Sequence, residues 1–170
     1  MNPLRWHRHL KSAMEHSQQL KKHLLNLLDA EGARITFDEA VKNFPPKLRG
    51  QKPEGAPHTA WQLLEHLRIA QWDILEFSRD AKHASPKWPE GYWPESDAPP
   101  NEKAWQKSIQ QFQSDLEQMK ELLNKASEDE LYKRIPHGDG QTLLREVLIL
   151  ADHNSYHLGQ LMYLRKMLEG

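Results

Sequence analysis

The segment Asp152-His153-Asn154-Ser155-Tyr156-His157-Leu158-Gly159-Gln160 places two imidazoles four residues apart. On a helix such residues differ by about 40° in azimuth and by about one turn, with Cβ atoms about 5–6 Å apart, a workable bite for one metal ion. The same spacing also occurs on ordinary solvated helix faces, so spacing alone leaves both readings open. Register separates them. His157 falls between Leu150 and Leu161 or Leu164 in the repeat that faces a core, which turns at least one imidazole inward, and a buried imidazole needs a partner. The chain has ten histidines and no cysteine, so any metal must be held by histidine and carboxylate. Disulfides, thiolate ligands and a cysteine nucleophile are excluded by the same count.

Two imidazoles rarely complete a site, and a second segment offers a third. In "WQLLEHLRIAQWD", His66 follows Leu63 by three residues and precedes Ala70 by four, on the inner flank of a helical pattern. Alone, such a histidine is more simply a core residue satisfied by a carboxylate or a carbonyl; beside the pair at 153 and 157, a shared ion is favoured. His9, His16 and His23 repeat every seven residues but flank their helix's apolar stripe and read as solvated. His7 and His83 have no supporting context, and His58 and His137 read as loop residues that could reach a pocket mouth. Glu65, Asp73, Glu146, Asp152 and Gln160 are near enough in sequence to accept from the free N–H of a site imidazole. Glu146 is preferred because it lies two turns before His153 on the same face; its alternative is a surface salt bridge. Gly159, costly inside a helix, is expected to let a neighbouring helix or a ligand approach closely.

Four long amphipathic helices must position these residues. The first spans residues 4–28, with Leu10, Ala13, Leu20, Leu24 and Leu27 recurring every three or four residues before Gly32. A short turn opened by Thr36 and Glu39 follows, stopped by Pro45-Pro46. The second helix starts at Thr59, whose spacing to Gln62 is that of a capping box; it carries Leu63, Leu67, Ala70, Ile74 and Phe77 inward and ends near Asp80. Residues 83–100 hold five prolines, two tryptophans and a tyrosine, which no regular element would accept. This stretch is a long ordered loop or a lid, and Trp88, Tyr92 and Trp93 are expected to pack under the helices more than to cover a metal. The third helix spans about residues 101–126 on a stripe of Trp105, Ile109, Phe112, Leu116, Met119 and Leu123, and Ser127 with Glu130 opens one more turn. The fourth, residues 142–168, carries Leu143, Val147, Leu150, Leu161, Leu164 and Leu168. One apolar stripe per helix and no competing strand pattern predict an all-α four-helix bundle, a single domain over residues 1–170. The long second connection allows the second and third helices to run parallel.

Composition narrows the function. A mean hydropathy of −0.85 reflects long solvated helix faces. A net charge of −1 with no basic stripe argues against nucleic acid as a partner. No run of about 18 apolar residues and no apolar signal core is present, so a soluble cytoplasmic protein is expected.

With His66 on the second helix and His153-Asn-Ser-Tyr-His157-x-Gly-Gln on the last, the chain resembles the DinB/YfiT-like superfamily of metal-binding four-helix bundles. The likeness covers nearly the whole chain, through "PHTAWQLLEHLRIAQWDILEFSR", "WPEGYWP" and "GDGQTLLREVLILADHNSYHLGQLMYLRKML". It implies that His66, His153 and His157 hold a divalent ion such as zinc or nickel. It also implies an up-down-down-up bundle, its second and third helices parallel, and a homodimer. An offset of about one turn between His66 and the pair on the last helix then has to be absorbed by stagger. Three neutral imidazoles leave coordination positions free, as in catalytic zinc. Characterised members include low-molecular-weight thiol S-transferases and a thiol-dependent isomerase, and many others are labelled hydrolases. The resemblance therefore implies a metal-dependent enzyme acting on a small molecule, a hydrolase or a thiol S-transferase. The alternatives are a bundle whose metal is structural or vestigial, serving as a binding or dimerisation module, and a metal-free helical interaction protein.

Overall fold

Capping residues set the helix boundaries in the computed structural model, which describes residues 3–32 and 35–170, with side chains from residue 15 onward. Helix α1 is Pro3–Leu28, α2 Phe37–Val41, α3 Ala60–Arg79, α4 Glu102–Lys125, α5 Glu128–Tyr132 and α6 Leu143–Glu169, with 3-10 turns at Pro46–Leu48 and Glu90–Tyr92. The described residues contain no strand, only an isolated bridge between Arg134 and Thr142. Thr36, Thr59 and Ser127 each accept from the backbone N–H three residues on while the residue there returns a bond to the cap, the reciprocal capping boxes expected from their spacing. Asn101 and Thr142 cap α4 and α6 through their side chains. Gly32, at φ +99°, follows α1 in the left-handed region. Pro45-Pro46 is not what stops α2: that helix ends at Val41, Asn43 turns the chain at φ +53°, and Pro46 instead opens the first 3-10 turn. The side chains of His7, His9, Leu10 and Ala13 lie outside the described residues.

Side-chain bonds give the helix directions. Glu65, Gln71 and Arg79 of α3 meet Ser108, the Phe112 carbonyl and Gln118 of α4 in the same order, so α3 and α4 run parallel. Along α3, His66 and Gln71 meet His157 and Asn154, so α6 runs the other way. Lys21 reaches the carbonyls of Asn124 and Ala126 while Asp29 pairs with Lys120, so α1 opposes α4. Among the described residues no helix is long and apolar enough to cross a membrane.

The core falls into two clusters. One joins Phe37 and Phe44 to Trp61, Leu64, Trp105, Phe112 and Leu161; the other joins Leu24 to Leu75, Met119, Leu123, Val147 and Leu150. Between them in both sequences lie two buried amides. Asn154 Nδ2 donates to Gln71 Oε1 at 2.9 Å, and Gln71 Nε2 donates to the Phe112 carbonyl at 2.6 Å, linking α6, α3 and α4. Leu64, Gln71 and Leu75 are fully buried, whereas Ile74 and Phe77 are only half-buried, so the inner face of α3 is rotated from the expected stripe. The final turns of α6 overhang the start of α3. They pack Leu161 and Leu164 on Phe37, Val41 and Phe44, and Arg165 Nη1 donates to the Lys42 carbonyl at 2.7 Å. The segment between α1 and α3 thus fills the offset between His66 and the α6 pair.

Candidate metal centre

His66 occupies the inner face of α3 one turn after Leu63, and its burial follows from Leu63, Leu67 and Ala70 around it. It is 3% exposed, His157 is 8% exposed and His153 is half-buried. Because α3 and α6 are antiparallel and in contact, the three side chains meet. His66 Nε2 lies 3.1 Å from His157 Nε2 and 3.1 Å from His153 Nε2, and one ligand atom from each of the three falls within 4.8 Å of the others. Among the described residues no carboxylate joins this group.

Hydrogen bonds on the far side of the rings show what the inner nitrogens carry. His66 Nδ1 donates to the Tyr92 carbonyl at 3.0 Å, and His157 Nδ1 donates to Gln160 Oε1 at 2.7 Å. A neutral imidazole has one N–H, so both Nε2 atoms present lone pairs to each other. Two lone pairs at 3.1 Å repel, and His153 has a single N–H to offer two acceptors. Among the described residues the buried His153 Nδ1 finds no hydrogen-bond partner. A cation among the three Nε2 atoms removes the conflict. Nitrogens about 2.0–2.1 Å from a common zinc-like ion lie roughly 2.9–3.4 Å apart at angles near 90–110°, which brackets the observed spacing.

Electrostatics agree with neutral rings. Burial, opposed by the Tyr92 carbonyl and reinforced by the neighbouring imidazoles, pushes His66 down to about 4. Burial, reinforced by His157 and His66 and opposed by the Asn154 amide, pushes His153 down to about 4, and burial also lowers His157. Near neutral pH all three offer lone pairs, the protonation state a metal ion requires.

A family profile of the DinB superfamily matches residues 29–161 and takes in all three histidines. The chain belongs to the DinB superfamily. Comparison with curated proteins and with solved structures gives no match.

In this DinB-superfamily chain the proline-rich loop forms one wall of the centre. Trp93 stacks on His66 at 3.9 Å between centroids and 3°, and on its other face His58 stacks at 3.8 Å and 14°. The expectation that the loop packs beneath the helices holds for Trp93, which packs against the first core cluster, but not for Trp88, which is 69% exposed; Tyr92 and Trp93 also contact His66 directly. His58 is therefore part of the surroundings of the centre, beyond an ordinary loop role. Asp73 Oδ2 accepts from the Tyr92 hydroxyl at 2.6 Å, and Asp73 Oδ1 accepts from His83 Nε2 at 2.7 Å, so His83 also gains a context that its position in sequence did not give. Burial, with the Asp73 bond, raises the Tyr92 phenol well above its usual range and keeps it a donor.

Of the five candidate acceptors, Gln160 alone bonds a site imidazole. Glu146 is buried, but its carboxylate accepts from Arg145 at 2.6 Å and makes no bond to His153. Glu65 accepts from Arg68 and Ser108, and Asp152 is exposed. His16 and His23 are exposed as expected, and His137 donates to the Phe77 carbonyl in the loop before α6. Gly159 is corrected: it is exposed, and a Cβ added there would meet nothing within 4 Å. The Tyr92 carbonyl and the Trp93 stack were not foreseen; the aromatic and proline repeat of "WPEGYWP" was their only signal. Beside the centre, Leu63, Gln160, Tyr163, Met167 and the 54–58 segment line an open, largely apolar pocket of about 320 Å³, which shares Gln160 and His58 with the surroundings of the histidines.

Proposed function

We propose that this chain is a metal-dependent enzyme acting on a small molecule, a hydrolase or a low-molecular-weight thiol S-transferase, with His66, His153 and His157 holding one zinc or nickel ion. The carrying observation is the convergence of three Nε2 atoms at 3.1 Å contacts, two of them fixed as lone-pair donors by bonds from the opposite ring nitrogen. Bound there, a divalent ion would supply Lewis acidity, an activated water or a site for a thiolate. The residues of the chain do the rest: Tyr92 and Gln160 hold the tautomers, Trp93 shields one face of His66 from water, and the neighbouring cavity is of a size for a small ligand. No catalytic acid or base is assigned.

The proposal includes one domain over residues 1–170, arranged as an up-down-down-up four-helix bundle, which the contact order along α1, α3, α4 and α6 supports. It includes a homodimer in the cytoplasm, with no nucleic acid or membrane partner. Ile149, Tyr156 and Tyr163, exposed at seven-residue intervals along α6, support the homodimer, and sedimentation analysis tests it. A second reading, a structural or vestigial metal in a binding or dimerisation module, is favoured by one observation: among the described residues no carboxylate stands with the histidines as a general base.

Elemental analysis of untagged protein, repeated on His66→Ala, tests the metal. One ion per chain is expected in the wild type and none in the variant; undiminished metal in the variant refutes the ligand set. A screen of low-molecular-weight thiols with electrophiles, and of simple esters and amides, then tests catalysis. Turnover lost on chelation supports the enzyme, whereas a large fall in melting temperature on chelation without turnover supports the structural reading.

A further inference from the structure

Asp73 lies seven residues after His66 on α3, which is two turns and about 10.5 Å along the same side of the helix. One loop residue reaches both. The Tyr92 carbonyl accepts from His66 Nδ1 at 3.0 Å, and the Tyr92 hydroxyl donates to Asp73 Oδ2 at 2.6 Å. The other carboxylate oxygen is taken by His83 Nε2 at 2.7 Å, from the start of the same loop. The side chains of Asp73 and His83 are 12% and 7% exposed, so both bonds run to a nearly buried carboxylate. Such charge-assisted bonds are roughly twice as strong as neutral ones. The loop is thereby fastened to α3 at His66 and at Asp73, and the next residue, Trp93, lays its ring flat on His66.

We propose that Asp73 is a positioning residue of the centre. By holding the Tyr92 hydroxyl it keeps the Tyr92 carbonyl on His66 Nδ1, which leaves His66 Nε2 a lone pair aimed at His153 and His157. The inference rests on the reading of these histidines as metal ligands, but its action on His66 is independent of the metal. A carboxylate is the group that suits the position, because it accepts at both oxygens. Asparagine would turn an N–H₂ toward one of the two donors, and Tyr92→Phe removes the pin while keeping the carbonyl.

The test uses the full-length, metal-free, ¹⁵N-labelled protein, in which two-bond ¹H–¹⁵N correlations report the tautomer of each imidazole. Wild-type His66 is expected as the Nδ1–H form, with Asp73→Asn and Tyr92→Phe shifting it to a mixture with Nε2–H. Cobalt(II) titration of the same proteins should show affinity reduced by about tenfold or more, the usual scale for loss of a group that orients a ligand. Folded variants that retain the wild-type His66 signature overturn the proposal, as does wild-type His66 in the Nε2–H form. If Asp73→Asn does not fold, Tyr92→Phe decides, since it loses a single hydroxyl. If the wild type binds no cobalt, the metal reading fails while the tautomer comparison still decides the role of Asp73.

Discussion

Gln160 offers the sharpest test of how the centre is held. Its Oε1 accepts from His157 Nδ1 at 2.7 Å at a partly buried position. Gln160→Leu replaces the carboxamide by a shorter branched aliphatic side chain and removes the acceptor, leaving an N–H that water reaches poorly. Loss of a buried partner costs about 1–3 kcal/mol. Coordination at Nε2 draws charge from the ring and makes the N–H a stronger donor, so more is lost in the loaded protein than in the free one. The difference appears as affinity: a 10- to 100-fold weakening is expected, about 1.4–2.7 kcal/mol. Competition with a chromophoric chelator, using zinc and then cobalt, measures it directly. Gln160→Glu supplies a stronger acceptor and should bind at least as tightly as the wild type. Glu146→Gln serves as the contrast, because the Glu146 carboxylate is engaged by Arg145 and should leave metal affinity unchanged. A Gln160→Leu protein that is folded and binds within twofold of the wild type would refute the reasoning. So would a Glu146→Gln protein that loses as much.

Three further outcomes are expected. Folded His66 and His153 are held near 4 against an ordinary value of about 6.5, so between these limits the unfolded chain takes up protons that the native state refuses. The metal-free protein should therefore lose stability as pH falls from about 6.5 toward 4, with no further loss from these groups below that; thermal melts across the window check it, and His66→Gln with His153→Gln should flatten the slope. Trp105 is 1% exposed, beneath the Arg49 guanidinium at 4.4 Å from its ring, so Trp105→Ala should cost about 3–5 kcal/mol in urea unfolding. Gly159→Ala should stabilise α6 by up to about 1 kcal/mol, since none of the described residues approaches the new methyl; a lower melting temperature would show that something packs on that face.

The parts of this molecule written in side-chain spacing were legible in the sequence. Thr59 with Gln62 and Ser127 with Glu130 announce helix starts because both halves of each capping box are side chains at fixed separation. His66, His153 and His157 were legible for the same reason, each lying at a definite phase of an apolar repeat. What orients them was less so. The partner of His66 is the backbone carbonyl of Tyr92, a group every residue possesses, and its place depends on how a proline-rich loop returns to α3. Glu146 has the right phase, but the adjacent Arg145 takes its carboxylate, and helical phase does not foresee such a competition. His58 and His83 lie in irregular segments where periodicity carries no information, yet the loop brings one to Trp93 and the other to Asp73. The glycine at 159 misled because its backbone freedom implies a neighbour that none of the described residues provides.

The amide pair of Gln71 and Asn154 has a consequence for how this fold tolerates change. A slip of α6 along α3 by a single residue moves it about 1.5 Å, enough to part a 2.9 Å bond and leave the Asn154 N–H₂ and the Gln71 carbonyl oxygen unpaired in the interior. The pair works as a key in a slot, indexing two antiparallel rods from a position outside the histidine cluster. Insertions or deletions in the connecting loops can then drift without transmitting a shift to His66, His153 and His157, whose mutual spacing is gauged within the interior itself.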